Sequence, residues 1–251
     1  MILIFLLILS FSYLPGLHAQ NLVPNPSFEI CKKCPNDYNI KYRKELIPGW
    51  YMATGGTPDY FNSCTRVQVG VPQNFMGSCF AKDGQAYIGL ILLLEPPIDT
   101  TSKATDYREY IESKLNEPLA KDQWYRVAFY FSVAPNSTYG INRLGVYFSE
   151  KKIGNRISTR ILNFKPQVSI DSTLILTEKQ NWFAFIDTFK AKGNESYMTI
   201  GNFYNDKKTN YKTLDVSGIS KVQQTRIAAN KIAYYYIDLV SVVKISNAAK
   251  K

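Results

Sequence analysis

The 251-residue sequence predicts an all-β sandwich in one domain. Three observations carry that prediction. Period-two alternation recurs along the chain, above all in "QWYRVAFYFSVA", where Tyr125, Val127, Phe129, Phe131 and Val133 share one face. Trp124, Arg126, Ala128, Tyr130 and Ser132 take the other face. These segments are rich in β-branched and aromatic residues. Between them stand clusters of Pro, Gly, Asn and Asp, which make turns and end strands. Eight to ten strands, little helix, no internal repeat and no low-complexity linker fit one sandwich.

The elements follow in order. Residues 1–14, "MILIFLLILSFSYL", are almost wholly apolar, and Pro15, Gly16 and "LHAQ" come next. This is the pattern of a secretory signal over residues 1–19 with cleavage after Ala19, leaving a domain over 20–251. The apolar run is short of the ~20 residues that span a bilayer. Nothing later is apolar for long enough either, since "YIGLILLL" (Tyr87 to Leu94) is strand length. The mature chain is therefore expected to be exported and free of membrane spans. The periplasm, the outer-membrane surface and the medium all remain open to it.

The one histidine, His18, lies in that leader. A mature chain without histidine has no Ser-His-Asp or Cys-His device, no histidine base and no histidine-ligated zinc. The leader holds no charged residue, so the net charge of +10 belongs to the mature part. Lys and Arg are spread along the chain, which fits solvated surface better than a nucleic-acid face, and no nucleic-acid partner is expected.

Cys31, Cys34, Cys64 and Cys79 all fall early in the mature chain. Four cysteines in an exported chain favour disulfides, and four allow three pairings. A redox CxxC needs a helix behind it to lower the thiol pKa, but Pro35, Asn36 and Asp37 follow here. A four-cysteine zinc site would want a second CxxC. The preferred pairs are Cys34–Cys64 and Cys31–Cys79, a clasp from the exit of the first strand to the long loops.

The first half is turn-rich, with "IPGW", "TGGTPDYFNSC" and "VPQNFMGSC". Stronger strand signals follow in "QAYIGLILLL", "QWYRVAFYFSVA", "RLGVYFS", "NWFAFIDTF", "SYMTIGNFY" and "KIAYYYIDLVSVVKI". "YREYIESKL" is ambiguous: Tyr107, Tyr110, Ile111 and Leu115 form a helical stripe, while Tyr107, Glu109, Ile111, Ser113 and Leu115 form a strand face.

The two ends matter together. "NLVPNPSFE" and "AYYYIDLVSV" look like the paired terminal strands of the galactose-binding-like jelly roll, the architecture of many carbohydrate-binding modules. With "IPGW", "TPDYFN", "GVPQNFMG", "DGQAYIG", "YREYIESKLNEPL" and "YMTIGNFY", the chain resembles exported envelope proteins of gliding, type IX-secreting Gram-negative bacteria. In that group the module often precedes an OmpA-like domain, for which this sequence has no counterpart. The resemblance implies a single jelly-roll β-sandwich and makes "YREYI" a strand. It also implies a structural calcium held by Glu29 and Asp238, with carbonyls near Asn25 and Gly84; the bland alternative is that both acids bond loop amides. The group usually reads "IDDV" where this chain has Ile237-Asp238-Leu239-Val240, so one acid is missing.

Jelly-roll binders set aromatic faces against sugar rings and fix orientation with polar groups. The loops offer Trp50, Asp59, Tyr60 and Asn74, with Tyr107 and Arg108 beside them in the jelly-roll reading. Each has a plainer role open to it. Trp50 could plug the core, Asp59 could cap a turn, Tyr60 could seal the disulfide region, and Arg108 could pair with an acid. A glycosidase needs two carboxylates across one cleft. Of Asp106, Glu109 and Glu112, a strand would turn Glu109 to the opposite face from the others. The expectation is a non-catalytic secreted binding module for an envelope glycan. A protein-interaction subunit of an outer-membrane, gliding or secretion assembly is the alternative, and a polysaccharide lyase or hydrolase the remote one.

Overall fold

The computed structural model describes residues 20–37, 46–66, 68–94, 106–154, 158–179, 181–217 and 231–246. The expected signal segment, 1–19, lies outside the described residues. Two antiparallel five-stranded sheets face each other. Sheet I has the order β11-β7-β14-β5-β2, and sheet II the order β1-β6-β12-β9-β10. The strands of sheet I are β2 (Asp59–Asn62), β5 (Ala86–Leu94), β7 (Trp124–Val133), β11 (Phe183–Lys190) and β14 (Ile232–Ile245). Those of sheet II are β1 (Trp50–Met52), β6 (Ile111–Lys114), β9 (Gly145–Ser149), β10 (Val168–Ser169) and β12 (Tyr197–Gly201). Two small two-stranded pairs complete the set: the hairpin of β3 (Gln73–Asn74) with β4 (Gly77–Ser78), and the long-range pair of β8 (Tyr139–Ile141) with β13 (Tyr211–Thr213). This is the all-β jelly-roll sandwich that the alternation and the resemblance predict.

The faces follow the pleat. In β7 the predicted inner face, Tyr125, Val127, Phe129, Phe131 and Val133, is buried between the sheets. It meets Ile111, Val146, Phe148, Met198 and Ile200 of sheet II in one core. Phe129 stacks on Phe185 at 4.6 Å, and Phe148 on Phe189 at 4.5 Å. Each fully buried side chain of this size contributes about 1.5–3 kcal/mol against exposure.

A second apolar layer lies on the outer side of sheet I. Phe61, Tyr87, Tyr234 and Tyr236 point away from the core and are covered by Val69, Met76 and Cys79 of the long loop. A third, smaller cluster on the outer side of sheet II gathers Ala53, Tyr110, Leu162 and Phe203. Alternation alone would leave these outer faces wet. Residues 68–82 roof the first, which is why "AYYYI" is buried on both faces, and Ile153 and Leu162 cover the second.

Two expectations are corrected here. Cys34 and Cys64 form the expected disulfide, but Cys31 and Cys79 are free thiols. Cys31 packs against the inter-sheet core, whereas Cys79 sits in the layer on the far side of sheet I. The sheet itself separates them. "YREYI" is strand only from Ile111, and Tyr107 makes just an isolated bridge to Arg160. The N-terminal segment does run beside the last strand, through Asn21 opposite Val243, a Leu22 N–H to Val242 carbonyl bond and a Val240 N–H to Pro26 carbonyl bond.

Candidate functional site

The six sequence-predicted ligand residues do not converge on one groove. Trp50 is 3% exposed; its ring lies 4.7 Å from that of Phe28 and its indole N–H donates to the Asn25 carbonyl. Tyr60 is sealed on the inner face of β2 and donates its hydroxyl to the Phe28 carbonyl at 3.0 Å. Both plug the core beneath the N-terminal segment. Asp59, one residue earlier, faces the other way and accepts a short hydrogen bond from the Tyr234 hydroxyl. Asn74 donates to the Tyr87 hydroxyl and accepts from that of Tyr236. These two polar side chains satisfy the buried tyrosines of the outer layer.

Tyr107 adjoins Asp59 through Glu109, whose charge acts on the same Tyr234 hydroxyl, whereas Arg108 lies at another corner. The Tyr107 hydroxyl donates to Glu109 at 2.8 Å. Glu109 is buried, and its carboxylate also accepts the N–H groups of Thr57 and Ile91, so it ties the loop before β2 to the edge of β5. Burial pushes its pKa up, against the pull of those donors. Arg108 is fully buried and forms an ion pair with Asp206 at 2.8 Å. Its guanidinium also donates to the carbonyls of Tyr107 and Tyr204. Asp106 and Asp206 exchange N–H bonds through their carboxylates, which locks the same corner. The plain roles open to Trp50 and Arg108, core plug and ion-pair partner, are the ones these contacts describe.

Glu29 and Asp238 do meet at one loop. Asp238 accepts the N–H groups of Lys82, Asp83 and Leu239, and Glu29 accepts those of Gln85 and Ala86. Gly84 sits between them at φ +61°, and a Cβ there would come within 2.4 Å of the Glu29 carboxyl carbon. The Asn25 carbonyl, an expected calcium ligand, instead accepts the Trp50 indole N–H and the Phe28 N–H. Both Asp238 oxygens, Glu29 Oε1 and the Asn25 carbonyl therefore already face N–H hydrogens. Among the described residues no group of three or more His, Cys, Asp or Glu side chains is placed to hold a metal.

Burial raises Asp238 to about 7, with the Asp83 carboxylate adding to it and three backbone N–H donors opposing it. Burial also lifts the Cys79 thiol to about 11, which leaves it protonated and inert.

A different place combines exposed rings with polar groups. On the outer side of sheet II, Tyr51, Glu112, Thr199 and Tyr147 form one cross-strand row. At one end the Lys152 ammonium lies 3.4 Å from the centre of the Tyr51 ring. At the other, Tyr147 stacks on Phe164 at 4.5 Å with only 3° between the rings, and Phe164 is 40% exposed. Beside that pair is a groove of about 550 Å³ lined by Tyr147, Ser149, Glu150, Lys165, Gln167 and Lys192 among others. Gln167 is fixed by paired bonds to the Phe148 backbone, which holds the groove wall rigid.

In mid-row, Glu112 accepts the Ile153 N–H at 2.8 Å through one oxygen. Its other oxygen and the Thr199 hydroxyl, directly opposite, are buried without a hydrogen bond of ordinary geometry. Burial pushes Glu112 to about 7, against the Ile153 N–H and the Lys152 charge.

Sequence reasoning missed Tyr147, Phe164, Lys165, Gln167 and Lys192. One signal was present: alternation in "GVYFS" turns Tyr147 away from Val146 and Phe148, hence out of the core. Phe164 gave no such cue, because it stands in a loop between Asn163 and Lys165.

No protein-family model and no curated protein matches this chain. Among solved structures it is similar to the CBM22-1 xylan-binding domain of Paenibacillus barcinonensis Xyn10C. That similarity has a TM-score of 0.40 and 11% identity, over 88% of this chain and 92% of that one. It is similar also to TmCBM61 in complex with β-1,4-galactotriose, with a TM-score of 0.37 and 12% identity, over 90% of this chain and all (100%) of that one. The enzymatically active domain of bacteriophage CBA120 tailspike protein 4 gives a TM-score of 0.38 and 13% identity over 90% of this chain. Of that tailspike domain the chain spans only 21%. At such identities no residue's role passes from any of them to this chain.

Proposed function

We propose that the protein is a non-catalytic, exported binding module, and that it takes a glycan on the outer side of sheet II. One observation carries the reading: the parallel Tyr147–Phe164 pair, partly exposed at the lip of a polar groove. A sugar ring offers an apolar face and a rim of hydroxyls. Flat aromatic area supports the first, and the groove's polar side chains, the held Gln167 with Lys165 and Lys192, supply bonds to the second. The buried acids speak against catalysis at this face. Glu112 is roofed by the 152–153 segment, Glu109 is used as a clamp, and Glu195 in the groove wall is buried and holds the Lys192 and Gly193 N–H groups.

The Cys34–Cys64 disulfide fits an oxidising compartment. The envelope setting, and the link to gliding and type IX-secreting bacteria, belong to this proposal and rest on the sequence resemblance. This reading needs no calcium: Glu29 and Asp238, the residues the resemblance implies for it, hold backbone amides.

The test is a titration of the oxidised protein against a panel of neutral and acidic polysaccharides. Saturable binding is expected, with about tenfold weaker affinity in Phe164→Ala and an unchanged melting temperature, since Phe164 lies outside the core. A folded protein that binds no glycan, or binds equally well without Phe164, would overturn the reading.

A further inference from the structure

We infer that the open edge of the sandwich between β11 and β10 is a docking surface for an extended, basic strand of a partner protein. This surface is separate from the proposed glycan face. Among the described residues β11 ends sheet I with β7 as its one hydrogen-bonded neighbour, and β10 ends sheet II beside β9. Between the two edges runs a groove of about 450 Å³. Its floor is apolar, built by Phe131, Val133, Ile170, Leu176, Phe183 and Phe185.

Three of the seven exposed large hydrophobic residues among the described residues collect here: Leu174 at 59%, Phe183 at 39% and Ile186 at 64%. Exposed apolar side chains gathered along one sheet edge mark an interaction site.

Charge names the occupant. The groove's lining contains Asp171, Glu178 and Asp187 and no Lys or Arg. In a chain of net charge +10 that sign is opposite to the overall balance. The neighbouring Lys179 does not cancel it, because its ammonium is turned onto the carbonyls of Pro135 and Asp215. An acidic rim over an apolar floor selects a segment with alternating apolar and Lys or Arg side chains. β11 supplies the matching backbone. A strand laid along a free sheet edge gains main-chain hydrogen bonds and sends alternate side chains to opposite sides. From Phe183 to Asp187 the edge offers about 17 Å, room for some five residues of partner. The Thr188 N–H is taken by the Asp187 carboxylate, which stops pairing at that end.

The experiment titrates two synthetic peptides, ten-residue Lys-Val and Glu-Val alternations, into the purified chain by calorimetry at low and high salt. The Lys-Val peptide is expected to bind saturably, at least about tenfold tighter than Glu-Val, and more weakly as salt rises. The Asp171→Lys/Asp187→Lys variant is expected to lose about tenfold, and Ile186→Ser to weaken binding without lowering the melting temperature. Glu117→Lys, an exposed acid outside the groove, is the control and should change little. Equal binding of both peptides, no binding of either, or equal losses in the groove and control variants would overturn the proposal. Self-association of the wild type that Ile186→Ser abolishes would overturn it too, by assigning the face to a second copy of this chain.

Discussion

Residue type and residue role separate most clearly at the tyrosines. The chain has eighteen, and sequence reasoning left them equally suited to a core or to a sugar-facing surface. Tyr60, Tyr87, Tyr110, Tyr125, Tyr234, Tyr235 and Tyr236 are all at most 2% exposed. Their hydroxyls are satisfied by chosen partners, as Tyr110 is by the Asn202 carbonyl and Tyr235 by the Leu176 carbonyl. A buried phenol keeps its ring in the core only if its hydroxyl is bonded, so each such pair fixes the register of two segments. Trp50 belongs to the same class. Trp50→Ala is expected to cost about 3–5 kcal/mol in urea unfolding, through the cavity it leaves against Phe28 and Tyr60. Phe164→Ala should cost under about 0.5 kcal/mol, as an exposed substitution. If Trp50→Ala instead keeps full stability while a bound glycan is lost, Trp50 is a ligand residue after all. Its choice as a candidate followed from the loop-like "IPGW" around it, and turn chemistry does not reveal what the loop rests on.

The long strands were legible because each has one regular face. β7 and β11 pair without a break from Phe183 opposite Phe131 to Lys190 opposite Trp124, and the alternation read from "QWYRVAFYFSVA" is the alternation seen. "YREYIESKL" was only half legible. Tyr107 to Tyr110 hold corners through side chains, with Arg108 paired to Asp206 and Glu109 bonded to Ile91, so no period applies to them. β14 shows what alternation cannot foresee. Its register shifts between Asp238 and Ser241, with Leu239 at φ +51°. That bulge frees Asp238 to reach the N–H groups of Lys82 and Asp83. The loop is thus tied through its backbone amides to the carboxylates of Asp238 and Glu29. Millimolar calcium followed by EDTA is expected to shift the melting temperature by less than about 1 °C, while Glu29→Gln lowers it. A rise of several degrees with calcium would show that the ion replaces those amides.

The whole molecule stores protons in its interior, and this gives a pH dependence with a definite sign. Asp238 and Glu112 stand near 3.8 and 4.5 in an unfolded chain and at about 7 when folded. Glu109 is raised as well, again by burial. Between pH of about 4.5 and 7 the native state keeps protons that the unfolded chain has released. Unfolding then sheds protons, so stability falls as pH rises through this window and levels off above it. Asp171 and Asp215 are lowered by their bonds from Thr173 and Ser217, and they act below this range with the opposite sign. The protein should therefore be more resistant to urea at pH 5 than at pH 8, the reverse of the usual acid-labile pattern. Glu112→Gln removes one titrating group from beneath the 152–153 segment and should flatten the slope by up to roughly 2 kcal/mol across the window. A stability that rises from pH 5 to pH 8 would mean these carboxylates are ionised in the fold. The Lys152 charge and the backbone donors would then outweigh burial, and the outer side of sheet II would carry a fixed negative charge beneath its aromatic rim.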